Sequence, residues 1–173
     1  MHERRSTGES FPSSFGTISS LPSFGILGTG SSPDITGAAT SAFKWNGAWH
    51  ALAMPGVLYR SDDGLQRFVE GPTLFTPNMR HSAVRVDGAT LRVFYSIVGN
   101  DRDRIVVSTI DLSRPWLEWT ASEPRVVLEP QTDWEGELRD PAIFTDEGRI
   151  YLLYSAAGES GIAIAELHLT PAA

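Results

Sequence analysis

The stretch that decides the fold is residues 138–167, LRDPAIFTDEGRIYLLYSAAGESGIAIAEL. Two glycine-containing segments, 146–148 (DEG) and 158–161 (GESG), divide it into apolar runs of strand length at 142–144, 150–154 and 162–165. β-Branched and aromatic residues favour strands, and glycine permits the positive φ that a tight turn needs. The stretch therefore predicts a three-stranded antiparallel meander.

The same order of segments occurs twice more, upstream. Asn46-Gly47 and Asp87-Gly88 each separate two strand-like runs, as Glu147-Gly148 does in the third copy. Asn-Gly and Asp-Gly are strong hairpin signals, because a type I′ turn needs positive φ at both central residues. The copies also align in detail, since residues 80–83 (RHSA) match 139–142 (RDPA) and 94–96 (FYS) match 153–155 (LYS). Candidate fourth strands follow the first two copies, at Leu74-Phe75 and at residues 125–128.

Repeats of about 40–50 residues with four short strands each are typical of propeller blades. Gly47 and Gly88 fit that spacing, and the interval from Gly88 to Gly148 is longer. A sandwich of hairpins has the same strand count and is the alternative. The in-register repeats favour an all-β fold, a partial β-propeller of about three blades over residues 41–173.

Residues 1–40 differ in composition from the rest of the chain. They are rich in serine, glycine, threonine and proline, and their few apolar residues have no period. Such a segment cannot bury enough apolar area to offset its ordering entropy. We expect an irregular N-terminal arm over residues 1–40.

Bulk composition excludes several classes of function. The net charge is −7 and the pI is about 5.0, which argues against nucleic acid as a partner. The chain has no cysteine, so disulfides and thiolate metal sites are excluded. No apolar run approaches the roughly 18 residues of a membrane span. The expectation is a soluble, cytoplasmic protein without a cofactor.

Four segments resemble a known family: 51–56 (ALAMPG), 58–61 (LYRS), 79–83 (MRHSA) and 138–144 (LRDPAIF). They are similar to the later blades of the five-bladed propeller of glycoside hydrolase family 43-like proteins, many of them bacterial. The resemblance implies a glycan as substrate and a catalytic set of two aspartates and a glutamate. Only Asp140-Pro141 matches an Asp-Pro of that pattern. We therefore expect a fragment or a decayed copy that lacks a complete carboxylate set.

Asp140 is the first candidate for chemistry. In a propeller it begins an innermost strand, so its carboxylate would face the central funnel as a catalytic or substrate-orienting group. The alternative is an Asp-Pro turn in which Asp140 pairs with Arg139 or accepts backbone hydrogen bonds. Glu137 is close enough to be the second carboxylate of an inverting pair, whose members lie roughly 6.5–9.5 Å apart. Its alternative is a solvated loop residue.

Substrate-binding candidates surround Asp140. Arg139 precedes it, and Arg80-His81 occupies the equivalent position in the second copy. His81 could bind a sugar hydroxyl, and the alternative is a structural hydrogen bond. One histidine alone is a weak metal signal, so no metal is expected. Trp134, in the loop before Asp140, is the best candidate for stacking on a sugar, because Trp45 and Trp49 lie on hairpin strands and suit packing between blades.

Two functions follow from these patterns. The first is a glycoside hydrolase-like protein, truncated and inactive, whose partner is a glycan. The second is a non-catalytic carbohydrate-binding or interaction module. Exposed blade edges also predict self-association.

Overall fold

A computed structural model describes residues 40–98, 103–132 and 136–169 of the chain. Apart from Thr40, which begins the first strand, the predicted N-terminal arm lies outside the described residues. Trp134, the predicted stacking residue, lies outside them as well.

Three antiparallel sheets make up the described chain, and each is a meander of strands that are consecutive in sequence. The first and second sheets have four strands and the third has three. This arrangement confirms the predicted all-β partial propeller. The strands are β1 (Thr40–Trp45), β2 (Ala48–Ala53), β3 (Val57–Ser61) and β4 (Val69–Thr73) in the first sheet, β5 (Met79–Asp87), β6 (Thr90–Ile97), β7 (Arg104–Asp111) and β8 (Arg125–Leu128) in the second, and β9 (Arg139–Asp146), β10 (Arg149–Ala156) and β11 (Gly161–Leu167) in the third.

The hairpin turns lie where the glycines predict them. Asn46 and Gly47 have φ of 47° and 81°, and Glu147 and Gly148 have φ of 45° and 80°, so both pairs have the two positive values of a type I′ turn. The second hairpin differs from its prediction. Its loop begins at Gly88, with φ of 59°, after Asp87 has ended β5. Glycine at the first loop position is typical of a type II′ turn.

The two predicted fourth strands have different outcomes. Arg125–Leu128 is β8, as predicted, whereas the strand predicted at Leu74-Phe75 is wrong, because β4 is Val69–Thr73. Leu74 instead donates its backbone N–H to the Gly56 carbonyl at 2.8 Å, and the Phe75 ring packs edge-on against Tyr95. Leu74 and Phe75 therefore lie outside the sheet and pack against the core.

The first and second sheets share the larger hydrophobic core. Trp45 packs against it and donates its indole N–H to the Leu112 carbonyl at 2.9 Å, which supports the packing role predicted for this tryptophan. Each fully buried large apolar side chain contributes about 1.5–3 kcal/mol. The buried members are Phe43, Leu52, Leu58, Met79, Leu91, Val93, Tyr95, Val106, Ile110, Leu112 and Trp119.

A smaller core joins the second and third sheets. Its buried members are Ile105, Leu138 and Leu152, and half-buried side chains such as Val127 and Ile143 pack around them. The three sheets therefore stack face to face in chain order. Among the described residues, no helix has the length and apolar character needed to cross a membrane.

The first strand of each sheet lies at one edge of this stack. β5 contacts β1 on one side and β9 on the other. Arg85 of β5 donates a hydrogen bond to Thr145 of β9 at 3.0 Å, and His81, near the start of β5, reaches Asp140, near the start of β9. The inner strands thus run side by side in the same direction, as they do in a propeller.

Candidate functional site

We call the beginnings of β1, β5 and β9 the inner rim, represented by Ser41, His81 and Asp140. Ser82 donates its hydroxyl to the Ser41 hydroxyl at 3.1 Å, and the Ser41 hydroxyl also contacts the Ser82 carbonyl. The His81 backbone N–H points at the sulfur of Met54, at 3.3 Å. The rim is therefore one continuous surface contributed by all three sheets.

His81 and Asp140 occupy equivalent irregularities in their sheets. The register of β5 on β6 shifts between Arg80 and Ser82, which leaves His81 as the extra residue. The pairing of β9 with β10 has a corresponding shift at Asp140. His81 has φ of 43° and Asp140 has φ of 50°, values that are uncommon for residues other than glycine. β-Bulges re-aim side chains and are frequent beside functional sites.

Both oxygens of the Asp140 carboxylate are engaged. Nδ1 of His81 lies 2.9 Å from Oδ1, and the Ser155 hydroxyl donates to Oδ2 at 2.8 Å. Because a carboxylate oxygen only accepts, Nδ1 of His81 carries a hydrogen, and in the neutral tautomer with that hydrogen Nε2 is an acceptor. Asp140 and His81, the equivalent positions of two copies, are thus in direct contact. Asp140 pairs with His81, and not with Arg139 as its alternative interpretation proposed.

Arg139 binds three carboxylates. Its Nε donates to Oδ2 of Asp103 at 2.6 Å, a second nitrogen contacts Glu137, and a third lies 3.3 Å from Glu159. Asp103 is buried, and its hydrogen bond is the main cause that raises the pKa of Arg139 above its ordinary value. The Arg139 guanidinium thus connects the start of β9 to the segment before β7, through Asp103, and to the turn before β11, through Glu159.

The structure brings Glu137 to Arg139, and its role as a second catalytic carboxylate stays a prediction. Arg80 is exposed at the start of β5, next to His81. Its role in substrate binding, like that of Arg139, also stays a prediction. Among the described residues, no group of three or more histidine, aspartate or glutamate side chains is arranged to hold a metal ion.

Sequence reasoning missed the part played by Ser155 and Asp103. Ser155 pairs with Arg139 across β9 and β10, and Ser96 pairs with Arg80 in the same way in the second sheet. The repeated Tyr-Ser was therefore a usable signal that these serines reach the rim. No local pattern marks Asp103, because its partner Arg139 lies far away in the sequence.

Comparisons with known proteins address the fold. No family model matches the chain. Uncharacterized protein R118 of Acanthamoeba polyphaga mimivirus is 32% identical over 146 residues, which cover 65% of this chain and 41% of that protein. The chain thus spans less than half the length of this relative.

Solved structures of carbohydrate-active enzymes are similar to the described sheets. The Cellvibrio cellulosa α-L-arabinanase complexed with arabinohexaose superposes with a TM-score of 0.60 at 16% identity, covering 76% of this chain and 48% of the arabinanase. An exo-1,5-α-L-arabinanase from a bovine ruminal metagenomic library has a TM-score of 0.57 at 17% identity, covering 76% and 50%. A thermostable family-43 glycoside hydrolase has a TM-score of 0.55 at 12% identity, covering 76% and 55%.

These likenesses agree with the stacking of three meander sheets around an inner rim. They cover about half the length of each neighbour. Because the sequence identities are only 12–17%, the likeness establishes the fold alone. The chain has the β-propeller fold of family 43-like glycoside hydrolases, and it spans about half the length of these neighbours.

Proposed function

We propose that this chain is a glycoside hydrolase-like protein that binds a glycan at the inner rim, with Asp140 as the carboxylate that orients the sugar. The observation that carries the proposal is the arrangement of His81, Asp140 and Ser155 where two inner strands meet. Both side chains of the His81–Asp140 pair are about two fifths exposed, so a ligand can reach them.

The groups on the rim suit sugar hydroxyls. A carboxylate accepts hydrogen bonds, and Nε2 of a neutral histidine whose Nδ1 is occupied accepts one more. Ser155 and His81 restrict the rotation of the Asp140 carboxylate, so little ordering entropy remains to be lost when a ligand binds. The rim can therefore present oriented acceptors to a polyhydroxylated ligand.

Hydrolysis of a glycosidic bond needs a second carboxyl group in addition to Asp140. An acid has to protonate the leaving oxygen while a base activates water or a nucleophile attacks the sugar. Glu137, the predicted second member, is bound by the Arg139 guanidinium. We therefore expect the chain to bind glycans without hydrolysing them, which combines a glycosidase-type fold with the non-catalytic function considered from the sequence.

Arabinan oligosaccharides are the first ligands to test, because one neighbour of similar fold is an arabinanase complexed with arabinohexaose. Titration calorimetry should detect binding by the unmodified chain and a loss of at least tenfold in affinity for Asp140→Asn. The matched control is Asp146→Asn, the same change at the exposed far end of β9. Equal affinities for the two variants would contradict a role for Asp140.

A turnover assay separates binding from catalysis. Aryl glycosides of arabinose, xylose, galactose and mannose should release no aglycone above the uncatalysed rate. Turnover that disappears in Asp140→Asn and persists in Asp146→Asn would overturn the non-catalytic proposal and identify the chain as a glycosidase.

A further inference from the structure

The outer edge of the third sheet differs from the other two outer edges. The strand order is β11-β10-β9, so β11 has β10 on one side and, within the described part of the chain, no strand on the other. In the first and second sheets a fourth strand, β4 or β8, covers the third. Along Gly161–Leu167, alternate residues of β11 direct their backbone N–H and C=O groups away from β10.

Residue types protect the outer edges of β4 and β8 from pairing. β4 contains Glu70, Gly71 and Pro72, and proline removes a backbone donor while glycine weakens a strand. β8 has four residues, begins with Arg125 and follows Pro124. Short length, charge and proline are the devices by which natural sheets avoid pairing at their edges.

β11 has none of these devices along most of its length. Its sequence is GIAIAEL, in which Glu166 is the one charged residue. Ile162 and Ile164 are 82% and 61% exposed, although isoleucine is usually buried. A long apolar edge strand of this kind is expected to pair with another strand. Of the residues that follow, the described ones, His168 and Leu169, lie away from this edge, since both line a cavity with Val107 of the second sheet.

We propose that β11 pairs antiparallel with β11 of a second copy of this chain, across a twofold axis at Ile164. In this register Ile164 lies opposite its own counterpart, and Ala163 lies opposite Ala165. Ile162 then faces Glu166, which places the two Glu166 carboxylates at opposite ends of the paired strands. A register centred on Glu166 would instead set like charges directly opposite each other, which is unfavourable.

The Ile164-centred register has two further advantages. It pairs all seven residues of the strand, Gly161–Leu167, with their counterparts. It also makes the same patch serve both subunits, as in the isologous interfaces of twofold dimers. The result is one continuous sheet of six strands, three from each copy. A pairing of this size lies at the small end of protein interfaces, so association should depend on concentration.

Single cysteines test both the pairing and its register, because the chain contains no cysteine of its own. Directly opposed residues of antiparallel strands are close enough for a disulfide, whereas residues four positions out of register are about 14 Å apart. Ile164→Cys should therefore form a disulfide-linked dimer under mild oxidation. Ile162→Cys is the matched control. It is the same substitution at a more exposed isoleucine, which in this register does not lie opposite its own counterpart.

The second control is Val126→Cys on the protected edge of β8, where the valine is 51% exposed. We expect Ile164→Cys to cross-link and the two controls to remain monomeric, with the circular dichroism of all three reduced variants unchanged. Equal cross-linking of the three would reveal random collision, and no cross-linking of Ile164→Cys would mean that the edge is not paired in this way. Either outcome overturns the proposal.

Sedimentation of the cysteine-free chain provides an independent measurement. The unmodified chain should associate as its concentration rises, Ile164→Lys should remain a monomer, and Val126→Lys should behave like the unmodified chain. A monomer at every concentration would overturn the proposal, since the edge would then be covered by another part of the chain or left open. Persistent association of Ile164→Lys would place the interface elsewhere and would likewise overturn it.

Discussion

Nδ1 of His81 lies 2.9 Å from Oδ1 of Asp140, and both residues form the irregularity at the start of an inner strand. His81 and Asp140 thus occupy equivalent positions of two repeats, although their side chains differ. They contact each other across adjacent sheets. Because both side chains are partly exposed, their contact contributes less than about 1 kcal/mol to stability. We therefore expect the pair to affect the proposed glycan binding more than the free energy of unfolding.

The two repeat serines should respond differently to the same substitution. Ser155 donates to Asp140, whereas the hydroxyl of Ser96 is buried without a hydrogen-bond partner among the described residues. Ser96→Ala removes an unpaired polar group and should raise the free energy of unfolding by about 1 kcal/mol. Ser155→Ala should lower it slightly and weaken glycan binding. Thermal melts and calorimetric titration measure the two effects, and a destabilised Ser96→Ala would mean that its hydroxyl has a partner.

Removal of the Arg139 guanidinium should be costly. Arg139→Met leaves the buried Asp103 carboxylate without its cation, and breaking a buried pair typically costs about 3 kcal/mol or more. The control is Arg60→Met, which breaks an exposed pair with Asp62 and should cost less than about 1 kcal/mol. Urea unfolding monitored by tryptophan fluorescence gives both values. Neutralising the orphaned carboxylate with Asp103→Asn should recover part of the loss.

Replacing Gly88 with valine tests the hairpin turn. Gly88 has φ of 59°, and a side chain added there would meet open space, so any destabilisation comes from the backbone conformation. We expect a loss of about 2 kcal/mol, because β-branched residues tolerate positive φ poorly. That loss lowers the melting temperature by roughly 4–8 °C for a chain of this size.

Gly161→Val is the matched control for the turn. Gly161 also faces open space, but it begins β11 without a positive φ. Valine favours strands, so this variant should melt at or above the temperature of the unmodified chain. If Gly88→Val melted at the same temperature as Gly161→Val, the turn assignment would be wrong.

His50 should make stability depend on pH. It is buried between Phe43 and Trp119 with both ring nitrogens unpaired among the described residues, and burial, followed by the charge of Arg60, lowers its pKa to about 4. The unfolded chain, with a histidine pKa of about 6.5, binds the proton more readily. The contribution of His50 to stability is therefore complete above pH 6.5, falls as the pH drops toward 4, and is constant below that.

The full effect of His50 is up to about 3 kcal/mol. His50→Phe keeps an aromatic ring in place and should remove most of the pH dependence of the melting temperature between pH 4 and 6.5. His168→Gln, at an exposed histidine, should retain it. Identical pH profiles for the two variants would show that His50 is not the responsible group.

Much of the local structure could be predicted from short stretches of sequence. Asn46-Gly47 specifies its turn because asparagine and glycine are among the few residues that readily adopt positive φ. Leu74-Phe75 shows where this reasoning fails. Two apolar residues of strand type enter the core between two sheets, while Val69–Thr73, with its glycine and proline, forms the edge strand instead. Local strand propensity does not include the free energy gained by burying these residues in a core formed by distant parts of the chain.

The sequence by itself determined the repeats, the hairpins, and the equivalent positions of His81 and Asp140, because these depend on residues close together in the chain. Only the tertiary structure decided that Asp140 pairs with His81 and Ser155, that Arg139 binds Asp103, and that β11 keeps its isoleucines exposed. Those contacts join side chains from different strands and sheets. Their partners are chosen by how the sheets stack, since packing of the two apolar cores sets which distant side chains come within hydrogen-bond distance.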